Sequence, residues 1–177
     1  MSMPIAGFVL DWDPFLRLAE QDSPEIHAAI FEEKKLPCIH GIATGEVDFE
    51  YSADTDFWLS EEFETITQKL APEDQRTLGR FLAAFSMYEW STDYPPPRSS
   101  DVQRPSWTWA YFCWSPETVS QLHEIAAPLD WEQLTKQLTE DSEDLGATCV
   151  YEIASYWRRG CEQAVKNGQG IMLVVYC

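Results

Sequence analysis

Three kinds of side chain in this sequence could carry chemistry, and each needs partners at a spacing the chemistry dictates. Cys38-Ile39-His40 sets a thiol and an imidazole two residues apart. A zinc site needs three or four such ligands, and neither His27 nor His123 stands at a recognisable ligand spacing from that pair, so no metal centre is expected. Asp54-Thr55-Asp56 opens like a calcium loop, but Trp58 holds a ligand position and the turn glycine is missing, which leaves these acids as solvated turn carboxylates. Nucleophilic catalysis would need a Cys or Ser served by a His. With three histidines in the chain, Cys113 with His123 stays open as a pairing, although His123 beside an inward-facing Leu122 reads first as a half-buried structural residue. The sequence contains no GxSxG elbow, Gly-rich phosphate loop or HExxH helix.

Carboxylates are the third kind, and they are abundant. Thirty Asp and Glu face twelve Lys and Arg, a net charge of −18. Paired acids beside aromatic platforms could hydrolyse glycosides, but that needs two carboxyl groups about 5 to 9 Å apart across a cleft, which spacing along a chain does not reveal. Position is more informative than number. From Glu46 to Asp74 ten carboxylates (Glu46, Asp48, Glu50, Asp54, Asp56, Glu61, Glu62, Glu64, Glu73 and Asp74) stand against Lys69 alone, half of the whole imbalance in about a sixth of the length. Interleaved with Tyr51, Phe57 and Trp58, they have the composition of a surface that recruits a basic protein. The same charge repels nucleic-acid backbones and anionic membranes, so neither is expected as a partner. Dipole-favoured acids at a helix start would account for Glu61, Glu62 and Glu64 without function, and protection of an edge strand would account for Glu46, Asp48 and Glu50.

The elements that must position these residues follow from apolar periodicity. Ile5 to Leu10, Trp107 to Trp114 and Ile171 to Tyr176 are short apolar runs suited to strands, the last two apolar on both faces and so interior to a sheet. Residues 46–51 alternate, with Val47, Phe49 and Tyr51 opposite the acids, as a half-buried strand does. Asp13-Pro14, Ser23-Pro24 and Ser115-Pro116 are N-cap and N1 pairs; Ser60 is read as another cap, Pro72 opens a helix with Leu78, Phe81, Leu82 and Phe85 inward, and Asp130 caps a short helix. A long helix from about Val150 ends at Asn167-Gly168. Ser91 to Pro105, with three consecutive prolines, reads as a loop, and the acidic stretch from Glu140 to Asp144 as a linker. The expectation is one α+β domain over residues 1–177: a small mixed sheet with strands near 5–10, 46–51, 107–114 and 171–176, and about six helices.

Three landmarks resemble the YfbM-like family of small bacterial proteins: Met1-Ser2-Met3 leading through a strand to the first helix, Trp114-Ser115-Pro116-Glu117-Thr118-Val119 entering a helix, and the ending YWRRGCEQAVKNGQGIMLVVY. The resemblance covers the two ends and the segment after Pro105. It implies an α+β fold and, the family having no assigned activity, lends no catalytic residues or cofactor. Met1 to Leu10 lacks the basic stretch of a signal peptide, and the odd, scattered set of five cysteines fits reduced thiols, so a cytoplasmic location is expected. The leading reading is a non-enzymatic binding protein that uses the acidic surface of residues 46–74, chiefly Glu46, Asp48, Glu50, Asp54, Asp56, Glu61 and Glu62, against a basic partner in the manner of an immunity or antitoxin-like inhibitor. The alternative is a small-ligand or hydrolytic domain whose cleft is lined by Trp107, Trp109, Tyr111 and His123 beside the proline loop. Oligomeric state is not legible.

Overall fold

The computed structural model describes residues 4–21, 24–31, 35–42, 51–86, 101–105, 109–140 and 145–176. In chain order these form β1 (Pro4–Leu10), α1 (Trp12–Glu20), α2 (Pro24–Phe31), β2 (Ile39–Gly41), β3 (Tyr51–Ser52), α3 (Ala53–Ile66), α4 (Pro72–Ala83), β4 (Val102–Pro105), β5 (Trp109–Trp114), α5 (Pro116–Ala126), α6 (Trp131–Thr135), α7 (Leu145–Asn167) and β6 (Gly170–Tyr176). A wider, π-helical turn over Lys136–Glu140 continues α6. The α+β class is as the sequence indicates.

The sheet runs β2-β1-β6-β5-β4, and β3 also pairs with β1. As the two-sided apolar runs require, β5 and β6 are interior. Every pairing among the described residues is antiparallel, where a mixed sheet was expected. The reason lies in the excursion between β5 and β6: α5 leads away and α7 returns, so the chain re-enters the sheet where it left, with Trp114 opposite Ile171. A single crossover helix would have delivered β6 to the other end and made it parallel. The last four residues of the expected proline loop, Val102–Pro105, are likewise strand β4; the proline is tolerated because, among the described residues, β4 stands at the edge of the sheet, hydrogen-bonded to β5 alone. The expected strand over 46–51 is seen only at Tyr51, since 46–50 lie outside the described residues, as do Ser91 to Ser100, Trp107 and the linker at 141–144.

Alternation along the strands divides the interior in two. Ile171, Leu173 and Val175 of β6 join Ile5 and Val9 under α3 to α7, where Leu59, Phe63, Phe81, Leu122, Leu138 and Trp157 are buried. Met172 and Val174 turn the other way, with Tyr111 and Cys113, to meet Phe15, Ala19 and Ile26 of α1 and α2. The sheet is thus covered on both faces, which explains why its central strands lack polar alternation. In the larger cluster Phe85 stacks on Trp157, with ring centroids 4.4 Å apart.

One local arrangement ties the sheet to α7. Phe8 faces Gly41 while Ile5 faces Tyr51, so a three-residue step on β1 answers a ten-residue step on the returning chain. Among the described residues no strand pairs with β1 on that side at Gly7, and the Tyr156 hydroxyl bonds its backbone: Gly7 N–H donates to it at 2.8 Å and it donates to Gly7 C=O at 3.0 Å. Only a glycine admits this approach, because a Cβ at Gly7 would stand 2.7 Å from that oxygen and 2.9 Å from the Trp157 ring.

Candidate functional site

The acidic segment takes shape around α3, which begins earlier than its sequence suggests. The cap is Ser52, whose hydroxyl accepts from Thr55 N–H at 3.1 Å, and Ser60 lies inside the helix with its hydroxyl donating to the Phe57 carbonyl at 2.7 Å. Both serines precede acids, and the apolar row that decides between them starts at Leu59, ahead of Ser60: Leu59, Phe63 and Ile66 are all buried. Asp54 and Asp56 therefore fall in the first helical turn, where the N-terminal dipole favours negative charge, rather than in the solvated turn expected of them.

With one side of α3 committed to the core, the other is fixed by the 3.6-residue period. Asp54, Phe57, Trp58, Glu61, Glu62 and Thr65 form an exposed stripe. Phe57 is 51% and Trp58 41% exposed, although rings of that size are ordinarily withdrawn from water. Among the described residues no Lys or Arg pairs with Asp54, Glu61 or Glu62. Glu64 and Glu73 are exposed as well, and Asp74 is half-buried. Tyr51, expected on this surface, is instead in the core, its hydroxyl accepting from Trp157 Nε1 at 3.1 Å. Glu46, Asp48 and Glu50 lie outside the described residues, and of Asp56 only the backbone is described.

Of the expected aromatic cleft, the two residues whose side chains are described, Tyr111 and His123, lie on opposite faces of the sheet. Tyr111 is 2% exposed and packs edge-on against Phe15, centroids 6.1 Å apart, on the α1 face of the sheet. His123 is half-buried on α5, in the opposite layer. Trp107 and the Trp109 side chain lie outside the described residues. The same division parts Cys113, buried with Tyr111, from His123. Burial also pushes the thiols of Cys38, Cys149 and Cys161 up, which keeps them protonated and poorly nucleophilic.

Sequence reasoning did not find the polar cluster where β1, β2 and β6 meet. The carboxylate of Asp11 accepts from Gln169 Nε2 at 2.7 Å and lies 3.0 Å from His40 Nε2. The Gln169 bond, then the His40 bond, hold the Asp11 carboxyl below its ordinary value. His40 is thereby engaged by a neighbouring acid, and among the described residues no group of three or more metal-ligating side chains forms. Gln169 follows Gly168, whose φ of 64° places it there, but no spacing in the sequence announces its pairing with Asp11.

No family model matches the chain, and no curated protein matches it. Among solved structures it is similar to the crystal structure of YfbM from Escherichia coli, a protein of unknown function, at 11% identity over 99% of each chain with a TM-score of 0.49. The likeness transfers no activity.

Proposed function

We propose that this protein is a non-enzymatic binding protein whose α3 face engages a basic protein partner, in the manner of an immunity or antitoxin-like inhibitor. The observation that carries this reading is the stripe on which Phe57 and Trp58 stand exposed beside Asp54, Glu61 and Glu62, with which no Lys or Arg among the described residues pairs. Large rings supply desolvation energy and a surface for cationic side chains, and surrounding carboxylates steer and orient such a partner. Glu46, Asp48 and Glu50 precede α3 in the sequence. A phosphate backbone would meet the same field with the wrong sign.

The test is affinity capture from the cell of origin with wild type, Trp58→Ala and Glu61→Lys/Glu62→Lys as baits. The expected result is a basic protein retained by wild type and lost from both variants, the charge-reversed bait losing it most completely at low salt. Identical captured proteins for all three baits would end the proposal.

A further inference from the structure

At the junction of α5, α6 and α7 a cup of about 230 Å3 is lined by His123, Ala126, Ala127, Trp131, Arg158 and Glu162. Its guanidinium is held from two sides: Arg158 Nε donates to Glu162 Oε1 at 2.7 Å, and the guanidinium carbon lies 4.6 Å from the centre of the Trp131 ring. The indole is held in turn, its N–H donating to the Ala126 carbonyl at 3.4 Å. These contacts leave the terminal edge uncommitted. Among the described residues neither the Nη groups of Arg158 nor the His123 ring has a hydrogen-bond partner.

A guanidinium braced by a carboxylate at Nε and a ring on its face, with its Nη groups unbonded among the described residues, is a two-point receptor for a carboxylate, and less rotamer freedom is lost when one binds. Two α5 carbonyls of residues lining the cup already have donors, which weakens their repulsion of an anion: His123 C=O accepts from Ala127 N–H at 3.0 Å, and Ala126 C=O accepts from Leu129 N–H at 3.2 Å as well as from the indole. Charge limits the ligand to one negative unit, because Glu162 offsets Arg158 locally and the whole protein carries −18. The methyl groups of Ala126 and Ala127 with the indole edge suit a compact apolar body. We infer that this cup binds a small organic monocarboxylate, the carboxylate on the Nη edge of Arg158 with His123 as a further donor and the apolar body against Ala126 and Ala127. The site is on different helices from the α3 face and stands independently of the partner reading.

Benzoate is the probe, with benzamide as its neutral counterpart and phenyl phosphate as its more highly charged one, each titrated into wild-type protein while the side-chain N–H signals of Arg158 and Trp131 are followed by NMR. Both signals should shift with benzoate, and benzamide and phenyl phosphate should bind at least about tenfold more weakly. Arg158→Lys, which keeps the charge but not the fork, should weaken benzoate by a similar factor. No shift at millimolar benzoate, equal binding of benzamide, tighter binding of phenyl phosphate or undiminished binding by Arg158→Lys would each overturn the inference. The three wild-type titrations decide it even if a variant folds poorly.

Discussion

Tyr156 does with one hydroxyl what a neighbouring strand does elsewhere along β1, and the cost of removing it follows. Tyr156→Phe keeps the ring but leaves Gly7 N–H and C=O buried without a partner, which costs about 1–3 kcal/mol in urea-unfolding stability. Gly7→Ala should destabilise by a similar ~1–3 kcal/mol through crowding against the same oxygen and Trp157. An unchanged midpoint for Tyr156→Phe would mean that the bond is not made in solution. Asp11 provides a titration at the same scale. Its folded carboxyl lies below the ordinary 3.8, so its contribution is present above that pH and is lost as pH falls through the lowered value. Asp11→Asn should therefore remove a small part of the acid destabilisation below about pH 4, well under about 1 kcal/mol for a half-exposed group. A steeper acid limb in the variant than in wild type would contradict that sign.

Helix starts show how far local rules reach. Ser115 and Asp130 cap α5 and α6 as their sequences indicate, accepting from Thr118 N–H at 3.3 Å and Gln133 N–H at 3.0 Å, and Gly168 ends α7 at positive φ. For α3 the sequence reading put the cap at Ser60, and tertiary burial of Leu59 sets the start at Ser52 instead. Ser52→Ala should accordingly cost about 1 kcal/mol in thermal or urea unfolding, while Ser60→Ala stays within about 0.5 kcal/mol. The reverse order would restore the later start. Apolar strands were legible because both their faces are buried. The short β2 and β4 were not, since three or four residues carry too little periodicity, and β4 sits behind a proline run that reads as loop. The exposed stripe was half legible: its acids and Trp58 could be read, but Tyr51 was grouped with them because its hydrogen-bond partner, Trp157, lies 106 residues away in the sequence. Asp11 with Gln169 and Arg158 with Trp131 were hidden for the same reason, being pairs that only the fold brings together.

For the whole molecule, a net charge of −18 creates a field that any partner meets before contact. The α3 face differs from a merely solubilising acidic surface in carrying Phe57 and Trp58, and the two contributions separate by salt. Carboxylates act over about a Debye length and fade as salt rises, whereas ring burial does not. Trp58→Ala should weaken a captured partner by roughly 30-fold at low and moderate salt alike. Glu61→Lys/Glu62→Lys should weaken it mainly at low salt.

The most direct measurement is the dissociation constant of that partner, determined across a salt series for wild type, Trp58→Ala and Glu61→Lys/Glu62→Lys. Wild-type affinity should fall as salt rises, the double reversal should flatten this dependence, and loss of the indole should lower affinity throughout. Affinities and salt slopes unchanged by either substitution would show that α3 is not where the partner binds.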